Sequence, residues 1–354
     1  MTSRSYPFVA LSLLLAVTGA GMITTLLWAI GNVFSGRPLL PPWPKRLREV
    51  PWHGFTIVAV FATWFAVNIV VSVGYHRVRP DARTRPAAVS TPPPASKVRN
   101  DPKTPSAPAR KAVPPMTFAE QIVLISLING ILLVILPAGI ALTSGARRAD
   151  LGLMTESLGR DLKLGAVAFL AITPVVMAVN FYAQKVWKPQ RHPLEQMLRE
   201  GVSPGLIALA YISAVVLAPA VEEFLFRVVF QGWLRNLFDP QADPEPRFAP
   251  LSGSTPTDVD LEWSRAPRNR ILPVMPSRLP QRLLPVVLTS VVFAGVHFEQ
   301  MPAPLAIFPL SIVLGLLYET TGSLIPSFVL HALFNGFNTT LLVAALLYKP
   351  EWKP

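Results

Sequence analysis

Three short motifs in the sequence carry the residue types that hydrolytic chemistry needs. In chain order they are Glu222-Glu223-Phe-Leu-Phe-Arg227, Phe293-Ala-Gly-Val-His297 and His331-Ala-Leu-Phe-Asn335. Carboxylates, imidazoles, a guanidinium and a carboxamide could together activate water, stabilise an oxyanion and protonate a leaving amine. The motifs therefore indicate an enzyme site suited to peptide hydrolysis.

The glutamate pair is the candidate for base chemistry. On a helix Glu223 and Arg227 share a face, whereas Glu222 points about 100° away from Glu223. Arg227 can therefore neutralise Glu223 and leave Glu222 to act on water, since a carboxyl group in an apolar pocket is a stronger base than one in water. The alternative is a helix that ends at Ala220, with both glutamates solvated. The apolar residues that follow the pair argue against it.

Each histidine motif spaces its outer residues by one helical turn. Phe293 can pack on His297 and orient its imidazole, and His331 shares a helix face with Asn335. We expect His297 to assist Glu222, and His331 and Asn335 to donate hydrogen bonds to a developing oxyanion. Two simpler interpretations stay open, a helix-end histidine bonded to a backbone carbonyl and an interhelical polar pair.

The same side chains leave a metal-dependent mechanism open. Glu222, His297 and His331 are zinc-ligand types, and three protein ligands plus water make a catalytic zinc site. No HExxH motif is present, so zinc is an open alternative and not a firm prediction. A serine nucleophile is a weaker alternative. The candidates are Ser290 and Ser327, and only Ser327 has a histidine four residues further along. The absence of Cys excludes a thiol nucleophile.

These polar residues lie in a strongly apolar chain. Of its 354 residues 51% are hydrophobic and 15% charged, whereas soluble domains are roughly a quarter charged. Uncharged runs such as Phe55–Gly74 and Ile122–Leu142 reach the roughly 20 residues that span a bilayer. A charged residue inside such a helix costs roughly 2.5–3.5 kcal/mol, which makes each one a functional candidate.

Eight apolar stretches predict an all-α, polytopic membrane bundle with a polar intramembrane catalytic cavity. They are Pro7–Phe34, Phe55–Gly74, Ile122–Leu142, Leu164–Ala183, Leu206–Phe230, Leu283–His297, Leu305–Tyr318 and Ile325–Leu347. The first stretch is long for a secretory signal, so we expect an uncleaved helix. Lys and Arg are balanced between the two sides, and no orientation is predicted.

The chain divides by composition into an extension, a linker and a catalytic domain. Residues 1–75 form a two-helix membrane extension. Residues 76–117 contain ten Pro and nine Lys or Arg against two Asp, a composition typical of a disordered linker. Residues 118–348 form the predicted catalytic domain, with a motif core at 205–345 and a polar loop at 235–282.

Taken together, the motifs resemble those of the CPBP family (CAAX protease and bacteriocin-processing), which includes the type II CAAX prenyl endopeptidases. The stretch from Gly315 to Pro326 resembles the family's last motif region. The resemblance implies a helical membrane fold with a conical cavity that holds the motif residues. It implies that Glu222 activates water with His297, and that His331 and Asn335 bind the oxyanion, with or without a metal.

The resemblance also implies partners and a location. The substrate would be a membrane-embedded or lipid-associated peptide or protein, and the bacterial members favour a bacterial cytoplasmic membrane. The net charge of +12 falls mostly in loops, and no recognition fold for nucleic acid is visible. The alternatives are a non-catalytic scaffold that binds a partner, and a transporter. A transporter is disfavoured because paired broken segments are missing.

Overall fold

The apolar runs of the sequence form long helices. The computed structural model describes residues 5–41, 49–78, 116–153, 157–187, 203–238 and 279–348. Within these ranges the chain is all-α without strands, as predicted. The eight long helices are α1 (Ser5–Phe34), α2 (Gly54–Val78), α3 (Phe118–Ser144), α4 (Leu158–Val186), α5 (Pro204–Phe238), α6 (Leu279–Gly295), α7 (Ala303–Thr321) and α8 (Leu324–Tyr348).

The outer surface of the described helices is that of a multi-pass integral membrane protein. Seven helices are long and apolar enough to cross a bilayer, and α6 contributes a shorter apolar segment, Gln281–Gly295. Large apolar side chains face outward, among them Leu27, Phe55 and Leu142. In water such a surface would be unstable, whereas lipid tails solvate it.

Helix ends are set by local capping. Thr117 caps α3, because its hydroxyl accepts from the backbone N–H of Glu120 and the Glu120 carboxylate accepts in return from the N–H of Thr117. This is a capping box. Gly145 ends the helix at φ +67°, a conformation that glycine adopts without steric strain.

The α4–α8 contact depends on a glycine. A Cβ atom added to Gly165 would lie 2.6 Å from the carbonyl oxygen of Pro326 and 2.8 Å from Cβ of Val329. Gly165→Ala is therefore expected to lower the free energy of unfolding by about 1–3 kcal/mol, because the backbone of α8 must move. Thermal unfolding in detergent measures this loss.

Gly159→Ala is the matched control in the same helix, because its added Cβ meets nothing within 4 Å. It should leave stability unchanged or raise it, since alanine favours the helix by about 0.5–1 kcal/mol. Equal stability of the two variants would contradict the close approach of α4 to α8.

Helix α5 is irregular where the glutamates lie. Two π-helical segments, Ser213–Leu217 and Phe224–Gln231, flank a short α-helical piece, Ala218–Glu223. Pro219 lies in that piece and has no N–H to donate, which favours a local change in the hydrogen-bond ladder. The second π segment begins directly after Glu223 and changes the direction of every later side chain.

The predicted boundaries need two adjustments. Helix α2 continues to Val78, so residues 76–78 of the predicted linker are helical, while 79–115 lie outside the described residues. The predicted polar loop at 235–282 is wrong at both ends, since 235–238 and 279–282 are helical. Arg235 is buried in that helix because Glu319 pairs with it. Residues 239–278 lie outside the description.

Candidate active site

Glu223 and Arg227 form a buried ion pair inside α5. Arg227 Nε donates to Glu223 Oε2 over 3.2 Å, and both side chains are 0% exposed. Arg227 Nη2 donates to Ser311 Oγ on α7 over 2.8 Å. The predicted i, i+4 contact is therefore formed, and it also joins α5 to α7.

His331 on α8 connects the two glutamates. Its Nδ1 lies 2.9 Å from Glu223 Oε1. Because an ionised carboxylate only accepts, Nδ1 is the donor in this contact. The other ring nitrogen, Nε2, lies 3.7 Å from Glu222 Oε2. That distance is too long for a direct hydrogen bond, and it is one that a single water molecule can bridge.

Glu222 is the accessible member of the pair. Its side chain is 30% exposed, against 0% for Glu223. Among the described residues no side chain or backbone group donates a hydrogen bond to the Glu222 carboxylate, and His331 is its nearest charged partner. Glu223 is thus fixed by two partners, whereas Glu222 is left for a water or a substrate.

Phe293 on α6 packs against the other site residues. Its ring centroid lies 5.1 Å from Arg227 Cζ and 5.8 Å from the His331 ring. The ring also lies 5.3 Å from that of His297, as the sequence predicted. Phe293 is 1% exposed, so it covers the polar cluster from the α6 side.

His297 lies just after α6 and is half-buried. Its Nδ1 donates to the Phe293 carbonyl over 2.9 Å, which is the simpler contact that the sequence left open. Because Nδ1 is the donor, Nε2 of a neutral ring keeps a free lone pair. His297 can still accept a proton, while its assistance to Glu222 stays a prediction.

Asn335 on α8 contacts α5 through its backbone. The Asn335 amide donates to the carbonyl of Ala214 over 3.0 Å. Ala214 lies in the first π-helical segment of α5, so the amide supports the backbone that precedes the glutamates. Asn335 keeps the i, i+4 spacing from His331, and one of its two side-chain N–H groups is used by Ala214. Its role in oxyanion binding stays a prediction.

Sequence reasoning missed a polar ladder between α5 and α7. Arg227 donates to Ser311, Gln231 donates to the Gly315 carbonyl over 3.0 Å and to Glu319 over 3.2 Å, and Arg235 lies 3.9 Å from Glu319. The three α5 members recur at every fourth position, and so do the three on α7. Polar residues at every fourth position from Arg227 were the sequence signal that could have predicted this ladder.

The metal-ligand candidates do not converge. Nε2 of His331 lies 3.7 Å from Glu222 Oε2, while Nδ1 of His331 donates to Glu223 and Nδ1 of His297 donates to a backbone carbonyl, so Nε2 is the nitrogen left available on each ring. Within the described ranges no group of three or more His, Asp or Glu side chains is arranged to hold a metal ion. The metalloprotease assignment is therefore not supported by the described residues.

A separate apolar cavity lies between α3, α5 and α8. Its volume is about 280 Å³, and its walls include Leu132, Leu136, Val221, Phe224, Leu324 and Phe328. The residues that line it do not include Glu222, Glu223, Arg227 or His331. This cavity is therefore distinct from the polar cluster.

The C-terminal helices resemble those of a known family. Residues 266–337 match the family model described as Type II CAAX prenyl endopeptidase Rce1-like. The matched region contains the Phe293–His297 and His331–Asn335 motifs but not the glutamate pair. The Glu223–His331 contact places that pair next to the matched region. No curated protein and no solved structure matches the chain significantly. The chain is a multi-pass membrane protein whose C-terminal helices match the Rce1-like type II CAAX prenyl endopeptidase family, in agreement with the CPBP family that its motifs resemble.

Proposed function

We propose that the protein is an intramembrane endopeptidase in which Glu222 activates water. The observation that carries the proposal is the Glu222–His331–Glu223 arrangement in the bundle interior, with Nε2 of His331 3.7 Å from Glu222 and Nδ1 2.9 Å from Glu223. The match of α6–α8 to a prenyl endopeptidase family supports peptide hydrolysis as the chemistry.

Charge balance defines the working state of the cluster. Glu223 and Arg227 cancel each other, so Glu222 and His331 are the remaining pair. A net charge of zero, the least costly state in a bilayer, requires one further proton on either the Glu222 carboxylate or His331 Nε2. With that proton on His331, a carboxylate base and a hydrogen-bond donor face the same space.

The proposed reaction begins with water held between Glu222 and the substrate carbonyl. Glu222 takes one proton from the water while the water oxygen bonds to the carbonyl carbon, and the former carbonyl oxygen becomes an oxyanion. The protonated Nε2 of His331 donates to that oxyanion. When the C–N bond breaks, the proton on Glu222 passes to the leaving amine. The products are an acid and an amine, and Glu222 is ionised again.

The other site residues support these steps. Glu223 holds His331 in one orientation through Nδ1, and Arg227 holds Glu223. We propose that His297 assists proton transfer at Glu222 and that Asn335 supports oxyanion binding with His331. Phe293 covers the cluster and limits access of bulk water, which strengthens electrostatic interactions within it.

A scaffold function accounts less well for the cluster. A partner-binding scaffold needs no carboxylate inside the bilayer, where each charge costs roughly 2.5–3.5 kcal/mol. Glu222 accepts no hydrogen bond from the described residues and is 30% exposed, so its carboxylate is free to bind and deprotonate water, as a catalytic base must.

The substrate class follows from the setting. We propose a membrane-associated peptide or protein, with prenylated CAAX-type C-termini as the first class to examine and a bacterial cytoplasmic membrane as the location. The test is cleavage of a membrane-peptide panel by the full-length protein in liposomes, with prenylated and unprenylated forms of each CAAX-type peptide. Mass spectrometry of the products identifies the bond that is cut.

The same assay contains a metal test. We expect cleavage to continue after addition of a chelator, because the described residues form no three-ligand metal group. Loss of cleavage with the chelator and recovery with zinc would make the enzyme a metalloprotease. If no peptide in the panel is cut while the protein binds partners, the scaffold function takes precedence.

A further inference from the structure

The segment before α2 is anchored to the C-terminal part of α5. Trp52 is 1% exposed, and its indole N–H donates to the carbonyl of Val229 over 3.1 Å. Next to it the Asn236 side chain donates to the Val50 carbonyl over 2.8 Å and accepts from the Val50 N–H over 3.3 Å. These contacts link residues 177 and 186 positions apart in sequence.

The approach is close enough to favour a glycine on α5. A Cβ atom added to Gly232 would lie 3.0 Å from Val50 Cγ1 and 3.7 Å from the Trp52 ring. Further along α2, Phe61 packs edge-on against Phe226 and Phe230. The extension is thus packed specifically on the π-helical segment Phe224–Gln231.

The π-helical segment that Trp52 contacts also contains Arg227, the residue that holds Glu223 in the proposed active site. Val229 and Arg227 both lie in that π-helical segment. π-Helical turns are less regular than α-helical ones, and a side-chain donor such as Trp52 can hold a carbonyl there in place. Phe226 contacts Phe293 at a centroid distance of 5.0 Å, and Phe293 lies against Arg227 and His331.

We propose that Trp52 is a positioning residue for the Glu223–Arg227–His331 cluster, and that the N-terminal extension braces the catalytic helix. Trp52 does not touch the reacting groups. It acts through α5, since any shift of the π-helical turn moves Arg227, the partner that fixes Glu223. The catalytic part of the proposal rests on the proposed function, whereas the structural part does not.

The test uses the full-length protein and the variant Trp52→Phe, which keeps an aromatic ring and removes the indole N–H. We expect hydrogen–deuterium exchange to rise about tenfold in residues 224–231, because the Val229 carbonyl loses its indole donor from outside α5 and keeps the backbone N–H of Gly232. We expect kcat to fall about tenfold with KM unchanged, since orientation and not substrate binding is impaired. Asn236→Ala, which removes both side-chain contacts with Val50 and leaves the Trp52 bond in place, should shift both quantities less, in the same direction.

Trp28→Phe is the control, because Trp28 on α1 is 53% exposed. It should change neither exchange nor kcat. Unchanged hydrogen–deuterium exchange at residues 224–231 in Trp52→Phe would contradict the proposal that Trp52 stabilises α5. A uniform rise across all helices, or a local rise without loss of kcat, would show a merely structural role and overturn the positioning. If the wild type cleaves no peptide, the proposed function fails, and the exchange data alone still decide whether Trp52 braces α5.

Discussion

Glu222→Gln is expected to abolish peptide cleavage while leaving the protein folded. Loss of a general base lowers kcat by about 10²–10⁴-fold, and Gln cannot take a proton from water. Gln has the size of Glu, and Glu222 accepts no hydrogen bond from the described residues, so the unfolding temperature should not fall. Cleavage kinetics and thermal unfolding of the same preparation measure both effects.

Two further variants serve as controls for Glu222→Gln. Glu299→Gln removes an exposed carboxylate beyond α6 and should leave both activity and stability unchanged. Glu223→Gln should reduce both, because the Glu223 carboxylate accepts from Arg227 and His331. Cleavage by Glu222→Gln at the wild-type rate would show that the base lies elsewhere and would remove the central residue of the proposed mechanism.

Arg227→Met is expected to destabilise the protein by about 3–5 kcal/mol, the cost of removing one partner of a buried ion pair. Methionine fills similar space but removes the guanidinium that neutralises the Glu223 carboxylate at 0% exposure, with His331 remaining as a hydrogen-bond donor. Ser311 loses its guanidinium donor at the same time, which weakens the α5–α7 contact. Reversible unfolding by denaturing detergent measures the loss.

The double variant Glu223→Gln/Arg227→Met separates charge from packing. It removes both charges, so much of the lost stability should return, since replacing both partners avoids the unpaired buried charge. Arg77→Met removes an exposed arginine at the end of α2 and should shift stability by less than about 0.5 kcal/mol. If the double variant is as unstable as Arg227→Met, an unpaired Glu223 is not the cause.

The sequence by itself determined the helices and the contacts within each of them. Backbone groups in lipid must bond within their own segment, so an uncharged run of about 20 residues specifies a helix without knowledge of its neighbours. The Glu223–Arg227 pair and the Phe293–His297 contact followed in the same way from i, i+4 spacing.

Only the tertiary structure decided how these helices meet. Which nitrogen of His331 faces which glutamate depends on two helices joined across 108 residues of sequence. The Arg235–Glu319 pair and the Trp52 anchor were missed for the same reason. In lipid no hydrophobic pattern selects the partner of a helix, and association depends on detailed packing and interhelical hydrogen bonds. The π-helical segment after Glu223 also breaks the 100° rotation per residue on which sequence projections rely.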